Sequence, residues 1–305
     1  MLTRRTILSG AGSATILAAC GQGGSTAPLE ETVKKAKEAK RKIDKVGLQT
    51  YTLRNAMAED FRGTFQMIKD VGYDYVELND RNFSEKTPAE LKAMLDEIGL
   101  PSPSSHMGYD KFKDDLPFVI QTAKTLQTDY VIVPYMAENL RSLEDWKRHA
   151  AVFNTAGEKL ADEGVRFAYH NHQFEFDDLG GDTTAMEVLM NETDPRFVDF
   201  QLDIFWTNLA SVDVPDLMRK YPGRFKLSHI KDLKGDPKAA LTMSYEDIGA
   251  KLMKNVGEGE TDFEAMFALN DISGMEYFVA EHDQPKQPYR DSIATSLSAI
   301  RNMRF

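Results

Sequence analysis

Two of the six histidines in the chain, His170 and His172, stand two positions apart in AYHNHQFEF (168–176), at the end of an apolar run. Alternation along a strand places both on one face. The spacing suits paired ligands, a ligand beside a substrate-facing neighbour, or two satisfied core histidines. Further ionisable residues close other β-rich runs: Glu77, His106, Asp203, His229 and Glu281, with Lys231 two positions after His229. A buried ionisable group needs a partner or a metal to offset its desolvation. Taken together, His170, Asp203, His229 and Glu281 offer two imidazoles and two carboxylates, a donor set for one divalent cation. Mixed nitrogen and oxygen donors suit manganese, zinc, cobalt, iron or nickel better than magnesium or calcium. Each residue alone also has an ordinary reading: Asp203 as a helix cap, His229 bonded to a neighbouring strand, Glu281 paired with an arginine.

The elements that must bring these residues together can be read from periodicity. Eight short β-rich runs occur: VGLQTYTL (46–53), YVEL (75–78), LPSPSSHM (100–107), YVIVPYM (130–136), RFAYHNH (166–172), VDFQLDIFW (198–206), FKLSHIKDL (225–233) and YFVAEHD (277–283). Amphipathic helical patterns such as FRGTFQMIKDVG and TPAELKAMLDEIG separate them, several closing on glycine. Eight strands each followed by a helix predict an α/β chain folded as a single (β/α)₈ TIM barrel, whose active site lies at the C-terminal strand ends. Glu77 and His106 are then expected on the pocket wall, His172 facing the substrate, and Trp206 with Phe205 stacked on a sugar face. His149 and His282 are expected to be ordinary. The seventh unit is long enough for a mouth insertion, and Gly257 and Gly259 in VGEG read as a tight turn rather than a phosphate loop.

The N-terminus carries separate signals. Residues 1–20 place Arg4 and Arg5 before a short apolar stretch and end in LAAC, with Cys20 the only cysteine. This reads as an export signal. It resembles a twin-arginine signal and a bacterial lipobox, so lipidation of Cys20 and a periplasmic or envelope location, with the membrane touched only through that lipid, are expected. Residues 21–45 read as a flexible, charged tether and 46–305 as the barrel, about 260 residues against roughly 250 for a typical one. A net charge of −11 would repel phosphate backbones, so a small-molecule partner is expected and nucleic acid is not.

The series YVEL, AYHNH, LDIFW, SHIKD, VGEG and VAEHD, in that order, resembles the xylose isomerase-like barrel superfamily, labelled sugar phosphate isomerase/epimerase, over about residues 46–303. The resemblance implies a metal held by Glu, Asp, His and Glu from strands five to eight. Asp203, His229 and Glu281 match the last three, and His170 stands where the epimerases have glutamate. HNH, HIKD and EHD look closer to the inosose dehydratase branch, although QFEF replaces that branch's glycine- and threonine-containing turn. The chemistry implied is proton removal beside a carbonyl, with a metal stabilising the enediolate. Glu281 is expected as ligand and nearby base, with His172 or Lys231 as the second proton-transfer group; a salt bridge is the ordinary reading of Lys231. The leading expectation is a sugar isomerase or epimerase acting on an unphosphorylated sugar or keto-sugar. A dehydratase or lyase of a keto-polyol or keto-glycoside, and a lipid-anchored sugar-binding protein without catalysis, are the alternatives.

Overall fold

Strand-forming runs and capped amphipathic helices alternate along residues 41–305, the part of the chain that the computed structural model describes. The expected export signal, the lipidation of Cys20 and most of the expected tether lie outside those residues. Barrel strands β1 (Gly47–Gln49), β2 (Tyr75–Leu78), β3 (Ser104–His106), β4 (Tyr130–Val133), β5 (Arg166–His170), β6 (Val198–Asp203) and β7 (Phe225–Ile230) follow in order. A short pair, β8 (Asp232–Leu233) and β9 (Met253–Lys254), precedes the last barrel strand, β10 (Tyr277–Ala280). The barrel closes in the order β1-β10-β7-β6-β5-β4-β3-β2, as the alternation predicts.

Helix boundaries follow local chemistry. Asp60 accepts from Gly63 N to start Phe61–Val71, which buries Phe65 and Ile68 and stops at Gly72 with φ of 109°. Thr87 and Glu90 form a capping box for Pro88–Ile98, which ends on Gly99. The long helix Leu143–Asp162 runs so close to the β6 approach that a Cβ on Gly157 would lie 2.4 Å from the Phe197 carbonyl oxygen.

Inside the barrel, Tyr130, Ile132, Ala168 and Leu227 form an apolar layer. Polar side chains fill the space nearer the C-terminal strand ends, where the site forms. Several strands are shorter than their sequence runs. Pro101 and Pro103 lack the N–H a ladder needs, so β3 begins only at Ser104. Beyond β1 the chain turns into a 3₁₀ helix, Thr50–Leu53, and beyond β6 into the helix Ile204–Leu209. Alternation continues past the ladder because these ends still pack against the mouth.

The tether boundary needs correction at its C-terminal end. Arg41 N donates to Phe305 O at 2.6 Å, Phe305 N returns a bond to Arg41 O at 3.1 Å, and Ile43 is buried in the core. Residues 41–45 therefore belong with the barrel. Among the described residues no helix is long and apolar enough to cross a membrane. The expected insertion of the seventh unit comprises the 3₁₀ helix Pro237–Thr242, the helix Tyr245–Lys251 and the antiparallel β8–β9 pair.

Candidate active site and metal centre

Asp203 is the last residue of β6 and the N-cap of the next helix. Its Oδ1 accepts from Trp206 N at 2.9 Å, which is the capping role its sequence position allowed. Its Oδ2 is buried without a hydrogen-bond partner and faces His170 Nε2 at 3.7 Å, His229 Nδ1 at 3.8 Å and Lys231 Nζ at 3.3 Å. One carboxylate thus fixes a helix and still presents an oxygen to the barrel mouth.

His229, paired in register with Asp203, is held from below. Its Nε2 donates to Glu77 Oε1 at 2.6 Å, which leaves Nδ1 turned toward the mouth. There Nδ1 lies 2.7 Å from Glu281 Oε2 but out of line for a hydrogen bond. A carboxylate behind an imidazole is the usual way a ligating histidine is oriented. Donor atoms of Asp203, His229 and Glu281 all lie within 4.8 Å of one another. Two buried donors without partners, and two carboxylates beside an imidazole, fit one divalent cation. His170 stands at the edge of this trio rather than inside it. It forms a second trio with His106 and His229, its Nδ1 bonds Gln201 Oε1 at 3.1 Å, and its Nε2 faces Asp203. Burial and the neighbouring His229 hold His170 well below the ordinary imidazole value, so its Nε2 lone pair is free to bind.

Glu77 departs from its expected place on the pocket wall. It is fully buried beneath the site, where Oε1 takes Gln49 Nε2 at 2.7 Å and Oε2 takes Ser104 Oγ at 2.6 Å and Gln201 Nε2 at 2.8 Å. Burial acts to raise its carboxyl, but the His106 and His229 rings outweigh this and hold it well below the usual range. Its partners come from four other strands, so it organises the floor and cannot reach substrate. His106 lines the cleft, stacked on His229 with ring centroids 5.2 Å apart.

Lys231, expected as a proton-transfer group with a salt bridge as its ordinary reading, is ion-paired. Its Nζ lies 2.7 Å from Glu281 Oε2, 2.9 Å from Asp283 Oδ1 and 3.3 Å from Asp203 Oδ2. Burial opposes the charge, yet these carboxylates hold the ammonium well above its ordinary value. Lys231 is therefore a cation and proton donor. The Asp232 side chain turns away, accepting from Gly257 N and Gly259 N at 2.9 Å each and from Thr261 N at 3.2 Å. Those amides are consumed in the VGEG turn.

His172 lies just beyond β5 and lines the cleft with its Nδ1 unpartnered. Burial and the Lys231 charge hold it well below the ordinary value, hence neutral. Its backbone N donates to Glu175 Oε2 at 2.8 Å, and Glu175 also receives the Tyr169 hydroxyl. Trp206 is buried beside His172, ring centroids 5.3 Å apart, and lines the cleft. The cleft encloses about 530 Å³ over these residues. His149 is buried in a helix, bonded to Tyr109 and Leu140, and His282 accepts from Gln284 N. Sequence reasoning missed Gln201, Asp283 and Glu175. The first two share a strand face with Asp203 and Glu281 by their two-residue spacing, a signal that was available; Glu175 had none.

The chain belongs to the xylose isomerase-like TIM barrel family, whose model matches residues 65–302. An inosose dehydratase from Salmonella typhimurium is 25% identical over 230 residues, covering 65% of this chain and 74% of that one. Another, from Geobacillus thermodenitrificans, is 28% identical over 147 residues, 46% of this chain and 48% of that one, so the chain spans about half the length of that relative. A crystal structure of a sugar phosphate isomerase/epimerase from Parabacteroides distasonis shares the fold with a TM-score of 0.68 at 24% identity, covering 83% of this chain and 92% of that one.

Proposed function

We propose that the protein is a metal-dependent dehydratase or lyase that eliminates a β-substituent from a cyclic keto-polyol or keto-sugar. The observation that carries this reading is the unlike pair lining the cleft, His172 with an unpartnered Nδ1 and Lys231 ringed by three carboxylates, beside the Asp203–His229–Glu281 cluster. Isomerisation or epimerisation led the sequence reading. Epimerisation between two carboxylates is disfavoured here, because Asp203, Glu281 and Asp283 all gather round one lysine. The relatives named inosose dehydratase support elimination as well.

Asp203, His229 and Glu281, with His170 beside them, would hold the cation; when bound it supplies Lewis-acid polarisation of the carbonyl oxygen. The protein's own groups handle the protons. His172 accepts the proton on the carbon next to the carbonyl, and that electron pair becomes the new C=C bond as the β C–O bond breaks. Lys231 gives its proton to the departing oxygen, which leaves as water or an alcohol. Trp206 offers an apolar face to the ring.

The test is incubation of purified, metal-analysed protein with scyllo-inosose and keto-sugars in deuterated water. Ultraviolet absorbance of a conjugated enone product is the expected result. Solvent deuterium returned in an epimer or isomer, with no enone, would move the assignment back to isomerase; tight sugar binding without any exchange would make it a binding protein.

We also propose export and anchoring through a lipidated Cys20, supported by the Arg4–Arg5 pair and the single cysteine in LAAC. Loss of membrane association and fatty-acid labelling in Cys20→Ser is the expected outcome, and unchanged fractionation refutes it.

A further inference from the structure

The cleft is larger than one sugar ring requires. A six-membered ring with its hydroxyls displaces on the order of six waters, roughly 180 Å³ at about 30 Å³ each. The cleft encloses about 530 Å³. Its lining sets aromatic side chains, Tyr51, Tyr135, Trp206 and Tyr245, beside polar ones such as Arg81 and Gln284. Five large apolar side chains are exposed among the described residues, and two of them, Tyr135 at 43% and Tyr245 at 44%, line this cleft. Exposed aromatics gathered at one pocket have a purpose in binding that scattered ones lack.

Both tyrosines are held in place. Tyr245 sits at the start of the inserted helix of the seventh unit, its hydroxyl accepting from Gln173 Nε2 at 2.9 Å and its ring meeting Trp206 at 5.5 Å between centroids. Tyr135 follows β4, meets His172 at 5.3 Å and lies under the Arg141 guanidinium at 5.0 Å. The order from the floor outward is Lys231, then Trp206 at 5.7 Å, then Tyr245 one ring further. Tyr135 and Tyr245 are thus the next aromatic rings beyond His172 and Trp206, at 5.3 Å and 5.5 Å between centroids.

We propose that Tyr135 and Tyr245 form an outer aromatic subsite for the second ring of a two-ring substrate, a cyclic keto-sugar whose leaving group is a ring-bearing alcohol. This rests on the elimination reading and names its leaving group. The proton beside the carbonyl goes to the base, its electron pair forms the C=C bond, and the C–O bond to the second ring breaks. That oxygen takes a proton and departs as the free ring alcohol, so no oxidant or co-reactant enters.

Binding tests the subsite without chemistry. The metal-loaded full chain is titrated calorimetrically with methyl β-D-glucoside and phenyl β-D-glucoside. Two aromatic contacts predict about tenfold tighter binding of the phenyl glucoside. Tyr245→Ala and Tyr135→Ala, on separate elements, should each cut that preference to about threefold or less and leave the methyl glucoside within about twofold, while Tyr245→Phe keeps it. No phenyl preference in the unmodified protein, no phenyl glucoside binding at all, or a preference that survives in both alanine variants overturns the subsite. Those results leave enone formation from single-ring inosose untouched. Conversely, a phenyl preference without enone formation from a keto-glycoside keeps the subsite and removes the elimination.

Discussion

Glu77→Gln should damage the floor of the site without touching the cleft surface. The carboxylate receives Gln49 and His229 on Oε1 and Ser104 and Gln201 on Oε2, at 2.6–2.8 Å, and His106 Nε2 lies 2.9 Å from Oε1. An amide turns one of those acceptors into a donor. If the NH₂ replaces Oε1 it meets the His229 and Gln49 donors; if it replaces Oε2 it meets the Gln201 amide. Gln201 cannot simply flip, because its Oε1 serves His106 at 2.7 Å and His170 at 3.1 Å. The substitution also removes the charge facing two buried imidazoles from below. Breaking a buried pair from one side costs about 3–5 kcal/mol. For a chain of this size that lowers Tm by about 10 °C. Losing the carboxylate behind His229 should weaken the cation by about 10–100-fold. Thermal denaturation of the metal-free protein and competition with a chromophoric chelator read the two effects. A Tm within about 2 °C of the parent, with metal affinity unchanged and only KM raised, would restore Glu77 as a substrate contact and refute the supporting role.

Other substitutions separate roles the structure has joined. Asp203→Asn keeps an oxygen for Trp206 N, so circular dichroism should stay native while elemental analysis finds the bound metal largely lost. Burial raises Glu175 from 4.5 to about 7, against its bonds from Tyr169 and His172. The unfolded chain releases that proton first, so stability should fall as pH rises from about 4.5 to about 7, by about 3 kcal/mol in total. Glu175→Gln imitates the protonated form and should flatten that dependence in urea melts; an unchanged pH slope contradicts it. Gly157→Ala should destabilise by about 1–3 kcal/mol although alanine favours helix, because its Cβ meets Phe197 O. A gain in urea midpoint would show the helix can move away.

The barrel was legible because its information is local. Period-two runs such as RFAYHNH and capped stretches such as TPAELKAMLDEIG declare strand and helix within a few residues. Eight such units close, and closure places Asp203, His229 and Glu281 at one mouth by topology alone. Tertiary structure decided what those residues face. Glu77 and His229 are 152 positions apart, and no pattern near either predicts their bond. The same holds for Lys231, whose charge follows from three carboxylates contributed by β6 and the end of β10, and for Ile43, which joins a core completed only at Phe305. Side-chain periodicity records which face a residue takes. It does not record which distant group will occupy the space in front of it, because protonation and ligation are set by distances of a few ångströms that arise only when the strands have closed.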